Sequence, residues 1–454
     1  MPGTTRRISA LGVLAAWGAT LATLAATIGS PPTAHGKSAQ KLSDCFWIGP
    51  YSSRRGPEFN SAFPDIGATY WTARYALPAG ASLRIRGQFP HARYQSFHSY
   101  GAMRPVDSIN DLATAPDPGS TNPFLPGADR TAKRRSYTIS VSNDPPPIDQ
   151  QLRAANTLYA GVAGRSDQEL IYRVYVADKG RDWAGGVGLP EPELTLADGT
   201  VLCGADLCAA IGSTDNVLEP SRLPLETYLA LRDQPGKPPT FPADDPPTFG
   251  AFYNTAFSIN CVYLDLCEPN PVRSGGQYSN EDVAYVGAFL NRQFGPVLVL
   301  RGKLPTTLET YDREKRMGEG QLRYWSICQN ESFATTAGAG CLYDEQVPID
   351  ADRRYTIVTS LSADRPKNAS ARCGVGFVPW PENGDGAGHP DDALLLIRNM
   401  LPSPSFHQAV QDTTVPGDER AIMGPYLPTA TYMSTTQFEG LGCLAKRRGE
   451  PPRR

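Results

Sequence analysis

The side chains best suited to chemistry in this sequence are few and scattered. His91 and His98 lie seven residues apart, and Asp344 and Glu345 are adjacent. Arg86, Arg93, Arg301 and Arg323 recur in matching surroundings, with Tyr94 after Arg93 and Tyr324 after Arg323. A histidine could carry a proton near neutral pH. Two carboxylates facing each other across a groove could serve as the acid and base of a hydrolase, and arginines beside tyrosines could clamp a carboxylate or phosphate. Spacing limits each option. Residues seven apart on one strand point to opposite faces, so His91 and His98 cannot chelate one metal. Asp344 and Glu345 also diverge on a strand, unless they lie in a turn. The catalytic candidates are therefore His98, Asp344 and Glu345, and the ligand-binding candidates are Arg86, Arg93, Tyr94, Arg301, Arg323 and Tyr324. Each competes with a structural role. An arginine at a strand end before glycine commonly bridges to a loop carboxylate or carbonyl, and paired tyrosines commonly fill cores and corners.

Familiar catalytic and cofactor motifs are missing: no G-x-S-x-G, no H-E-x-x-H and no G-x-x-x-x-G-K-[ST] occurs. The run Asn383-Gly384-Asp385-Gly386-Ala387-Gly388 hints at a calcium loop, yet Ala387 and Leu394 stand where oxygen ligands are required. A surface loop is expected there, with no metal site and no cofactor.

The elements that must position these residues come in two copies. Shifted by 215 positions, Tyr70, Ala73, Gly80, Leu83, Arg86, Gly87 and Pro90 fall on Tyr285, Ala288, Gly295, Leu298, Arg301, Gly302 and Pro305 without a gap. Chance gives roughly one or two such identities over that span. Arg93-Tyr94 then answers Arg323-Tyr324, and Arg135-Ser136-Tyr137-Thr138-Ile139 answers Arg353-Arg354-Tyr355-Thr356-Ile357. Strand-length runs separated by Gly, Pro and Asp turns, with Leu83 and Ile85 alternating against Arg84 and Arg86, are antiparallel all-β grammar. The segment 280–294 has helical spacing when taken alone; its register match to the first copy makes it a strand. The fold expected is mainly β: two tandem, internally duplicated β-sandwich or jelly-roll-like domains, 45–220 and 248–443, joined by one short helix over 223–232 and a proline-rich linker within 221–247. The second copy carries extra charged residues between Pro305 and Arg323, expected as a loop at a sheet edge.

The N-terminus reads as an export signal over residues 1–36, with Arg6-Arg7 before an apolar run; an uncleaved anchor is the alternative. Its removal takes the formal charge from −3 to −5, since residues 1–36 hold two arginines and no acid. Apart from a short tail, 444–454, basic residues do not cluster, which argues against nucleic acid as a partner. Nine cysteines suit an oxidising compartment. Cys203 with Cys208, Cys261 with Cys267, and Cys328 with Cys341 are the disulfide candidates.

The stretches Arg86-Gly87-Gln88-Phe89-Pro90-His91-Ala92-Arg93-Tyr94, 116–124 and 321–328 resemble those of uncharacterised exported bacterial proteins, and the chain is similar to β-sandwich domains of unknown function that occur in tandem in bacterial envelope proteins. That resemblance implies a fold and a compartment, secreted or cell envelope, and supplies no catalytic residues. The function expected is a non-catalytic protein binding a small molecule, glycan or envelope protein, with membrane contact only through the N-terminal segment. The alternative is an extracytoplasmic hydrolase using carboxylates and His98 in an interdomain cleft.

Overall fold

Alternation in Leu83-Arg84-Ile85-Arg86 becomes a strand with Leu83 and Ile85 buried and both arginines exposed. The computed structural model describes residues 46–56, 59–211 and 221–443; the export segment and the basic tail lie outside the described residues. The first half holds β1 (Ile48–Tyr51), β2 (Ala68–Ala76), β3 (Ser82–Gln88), β4 (Ala92–Gly101), β5 (Arg104–Asn110), β6 (Ser136–Ser142), β7 (Thr157–Tyr159), β8 (Asp167–Ala177), β9 (Glu191–Thr195) and β10 (Val201–Cys203). The second holds β11 (Gly250–Phe252), β12 (Val283–Asn291), β13 (Val297–Lys303), β14 (Leu322–Asn330), β15 (Gly338–Tyr343), β16 (Arg354–Ser360), β17 (Gly376–Pro379), β18 (Asp392–Pro402) and β19 (Thr429–Met433). Helices α1 (Gly204–Ala210), α2 (Leu225–Arg232), α3 (Thr255–Leu264), α4 (Glu419–Met423) and α5 (Thr435–Gly440) are short.

The duplication extends to the order of the sheets. Sheet I runs β1-β2-β8-β4-β5 and sheet III runs β11-β12-β18-β14-β15; sheet II runs β10-β9-β3-β6-β7 and sheet IV, read backwards, β19-β13-β16-β17. Strands β2 and β12 are offset by the same 215 residues as β3 and β13, and each half has one parallel pair, β6 with β7 and β16 with β17. The shared Arg-Gly step has a packing reason. A Cβ on Gly87 would fall 2.5 Å from the Tyr137 hydroxyl, and one on Gly302 would fall 2.6 Å from that of Tyr355. Each glycine lets the tyrosine opposite it on the neighbouring strand lie across the sheet.

Each half is a sandwich with its own core. Trp71, Tyr75, Leu170 and Tyr172 of sheet I meet Leu83, Ile85 and Ile139 of sheet II; Val286, Leu290, Leu395 and Ile397 of sheet III meet Leu298, Leu300 and Ile357 of sheet IV. The opposite faces of sheets I and III then meet through Tyr94, Tyr175, Tyr324 and Met400, and the described residues belong to one compact unit. In β13 the run Val297-Leu298-Val299-Leu300 is buried throughout, because Val297 and Val299 pack under Phe438 of α5 on the far side of sheet IV. The charged insertion between β13 and β14 does more than edge a sheet: Leu308 and Met317 enter the first half's core, and the Gly127 and Arg130 N–H groups donate to the Met317 and Lys315 carbonyls. Apolar anchors outweigh the charge around them, so the segment laces the halves together.

Cysteines Cys261–Cys267, Cys328–Cys341 and Cys373–Cys443 form disulfides, which marks an oxidising environment. The pairing of Cys203 with Cys208 is corrected: Cys203 is free and exposed, while Cys208 is bonded elsewhere. Close spacing did not suffice, because β10 ends at Cys203 and α1 carries Cys208 away into a helix packed on the core. No described helix is long and apolar enough to cross a membrane.

Candidate functional site

Four of the six residues expected to bind a ligand face the other half of the molecule instead. Arg93, on β4, is fully buried; Nη1 lies 2.6 Å from Asp344 Oδ1, Nη2 bonds Glu345, and Nε donates to Thr310 Oγ1 at 3.1 Å. Arg323, at the same place on β14, reaches back, with Nη2 3.0 Å from Asp111 Oδ1, Nε donating to the Arg93 carbonyl and Nη1 to that of Phe124. Asp111 and Asp344 each follow an edge strand, and each uses its second oxygen to accept a backbone N–H, from Gln95 at 2.8 Å and Trp325 at 2.9 Å. The tyrosines cross in the same way: Tyr94 donates to Asp282 at 2.6 Å and Tyr324 to Asp65 at 2.7 Å. Burial pushes the Asp111 carboxyl up to about 7 and that of Asp344 upward, against the pull of Arg323 and Arg93. A 3-10 turn over Asp344–Gln346 turns both acids toward Arg93, so the adjacent pair converges on an arginine.

The remaining candidates lie apart from these. Arg86 is exposed and pairs with Glu193 at 3.3 Å, and Arg301 is half-buried on β13. His98 is fully buried against Tyr100, with burial and then Arg173 holding its pKa well below the usual histidine range. It meets neither Asp344 nor Glu345, whose partners are Arg93 and backbone N–H groups. His91 sits against the Arg135 guanidinium; burial first, then that charge, lowers it to about 4.

A cavity of about 840 Å³ lies elsewhere, on the sheet III face of the second half. Tyr285, Gly287 and Phe289 of β12 and Leu394 and Leu396 of β18 make its floor. Gly287 keeps that floor low, since a Cβ there would fall 2.6 Å from the Leu395 carbonyl and 2.8 Å from Leu396 Cδ2. Helix α3 makes one wall through Phe257, Ser258, Cys261 and Val262. It starts because Asn254 Oδ1 accepts the Phe257 N–H at 2.8 Å, and it stops at Asp265 in the left-handed region, where the Cys261–Cys267 disulfide closes the turn. The proline-rich segment, expected as a linker, supplies Lys237, Phe241 and Pro242 to the opposite wall. Prolines leave it short of backbone donors, so it can cover apolar surface without a sheet partner. Charges gather at the rim, where half-buried Lys237 lies 3.2 Å from exposed Asp265. Its volume falls within the range of about 300–1,000 Å³ that ligand pockets take in general, and its lining is mainly apolar.

Sequence reasoning missed α3 and this cavity. The Asn cap at Asn254 was a usable signal, but Thr255–Leu264 carries apolar residues all round and shows no single buried face.

No protein-family model and no curated protein matches the chain. Among solved structures, the chain is similar to the VPA0106 protein from Vibrio parahaemolyticus, with TM-score 0.38 and 10% identity over 82% of this chain and 90% of that one. It is also similar to an uncharacterised protein from Burkholderia cenocepacia, with TM-score 0.43 and 11% identity over 87% of this chain and 84% of that one.

Proposed function

We propose that this is an extracytoplasmic binding protein whose second half takes up an apolar small molecule. The observation that carries the proposal is the 840 Å³ cavity, floored by aromatic and aliphatic side chains of β12 and β18 and walled by a disulfide-stapled helix and a proline-rich segment. A cavity of that size buries most of a small ligand, and its few hydroxyls, among them Ser258 and Thr255, orient one polar group. The three disulfides support the compartment. The buried interface between the halves works as the frame that holds the cavity's floor in place. The test uses the full chain and N-phenyl-1-naphthylamine, a neutral apolar fluorophore. Its emission should rise and saturate with protein, and Ser258→Trp, which fills the cavity from α3, should weaken binding at least tenfold with the melting temperature held. Equal binding by Ser258→Trp, or none by the parent protein, removes the proposal.

A further inference from the structure

Arg173 on β8 and Arg398 on β18 occupy equivalent positions, and their surroundings differ in one charge. Arg398 donates through Nη2 to the Phe63 carbonyl at 2.6 Å and through Nη1 to Cys328 Sγ at 2.7 Å. Nη1 also lies 3.6 Å from Asp65 Oδ2, which accepts the Ser326 hydroxyl. Arg173 repeats the first contact: Nη2 donates to the Tyr278 carbonyl at 2.7 Å, 215 residues on from Phe63, and to the Tyr100 hydroxyl at 2.6 Å. The turn holding Asp65 recurs too, since Asp65 Oδ1 accepts the Gly67 N–H and Asn280 Oδ1 accepts the Asp282 N–H. Where one copy has the carboxylate of Asp65, however, the other has the neutral amide of Asn280. The neighbouring Asp282 is turned to Tyr94 and Asn110.

The consequence is a buried guanidinium without its counter-charge. Arg173 is 2% exposed, its Nε and Nη1 are buried with no hydrogen-bond partner, and among the described residues no carboxylate forms an ion pair with it. Beside it on the same face, His98 is fully buried with neither ring nitrogen in a hydrogen bond of ordinary geometry, and Asn280 is its neighbour. Ser96, opposite Arg173 in the ladder and equivalent to Ser326, completes the group. A buried, unpaired charge is costly to fold around, and unsatisfied donors on it more so. We infer that Arg173, His98, Ser96 and Asn280 form a binding site for a small monovalent anion of the halide class, which supplies the charge that Asp65 supplies to Arg398. The anion accepts from Arg173 Nε and Nη1 and from the Ser96 hydroxyl, with one His98 ring N–H available as a further donor.

The test begins with the unaltered full chain in gluconate buffer, replaced stepwise by chloride or bromide at constant ionic strength. The melting temperature should rise and saturate, by about 2 °C, and crystals grown with bromide should give an anomalous peak at Arg173. Asn280→Asp writes the carboxylate of the other copy into the site and should melt at or above the parent with the halide dependence lost; Arg173→Met should lose the dependence as well. A melting temperature indifferent to halide overturns the inference whatever the variants do, since ordered water alone then satisfies Arg173, and a bromide peak confined to other places does the same.

Discussion

On sheet I, Arg74 stands opposite Glu169 across the ladder, and Thr72 opposite Ile171; on sheet III the same ladder positions hold Phe289 opposite Leu394 and Gly287 opposite Leu396. One register, written twice, thus makes a polar face in the first half and the floor of a cavity in the second. The connection before each first central strand follows suit: the described residues of the connection from β1 to β2 hold no α-helix, while the nearly twice as long 253–282 adds α3. The comparison teaches that the frame and the site were separable. Outward positions where the halves meet are kept, as with Tyr94 and Tyr324 or Arg173 and Arg398, whereas the outward positions beyond the seam diverged, because a substitution there leaves the core's packing untouched.

What the two halves retain identically is the crossed pair of arginines, and breaking it gives the largest expected effect. Asp344→Ala strands Arg93 in the interior and should cost about 3–5 kcal/mol in urea unfolding. Asp111→Ala should do the same to Arg323. The two need not be equal. Glu345 remains beside Arg93 after the first change, whereas among the described residues Arg323 has no second carboxylate bonded to it, so Asp111→Ala should be the more damaging. The reverse order would show that the two crossings are not energetic equivalents.

Much of this frame was legible in the sequence, since a constant offset of 215 carries β2 onto β12 and β3 onto β13 and outweighs the helical spacing of 280–294. Repeat alignment also singled out Arg93, Tyr94, Arg323 and Tyr324. It could not reveal their partners, because Arg93 meets Asp344 across 251 residues and the contact exists only once two sandwiches dock. The cavity was hidden for a different reason. Phe289 and Leu394 read as strand residues of either face, and it takes α3, the proline-rich segment and distant residues such as Ala62, Phe63 and Phe333 to turn an exposed apolar face into an enclosed one.

A smaller effect separates the halves by pH. His98 and Cys328 share a position on β4 and β14, but Cys328 is locked in a disulfide and does not titrate. Burial first, and then Arg173, hold the folded-state pKa of His98 well below 6.5, so the folded protein resists a proton that the unfolded chain accepts. The stability linked to His98 is therefore complete above the unfolded pKa and is lost as pH falls below it, by up to about 1.4 kcal/mol per pH unit. Asp111, whose carboxyl is raised to about 7, contributes in the opposite sense over the same range, so the reading is the difference: from pH 7 to 5 the parent should lose melting temperature relative to His98→Gln. An unchanged slope in the variant would assign the loss to other groups.

The smallest effect is expected at the residues that first drew the two halves together. Arg86→Ala removes an exposed guanidinium paired with Glu193, and such a pair contributes roughly 0–1 kcal/mol. Arg301, its counterpart, is half-buried on β13 with Thr356 and Thr429 as its ladder neighbours, so Arg301→Ala should lose more through the packing of its apolar stem than through charge. Raising the salt concentration to 1 M distinguishes the two terms, because an exposed ion pair is screened and a packed stem is not. The effect of Arg86→Ala should then vanish while that of Arg301→Ala persists. If both vanish, the shared arginine is held by charge in each half; if both persist, its side chain is retained as a cover for the sheet face beneath it.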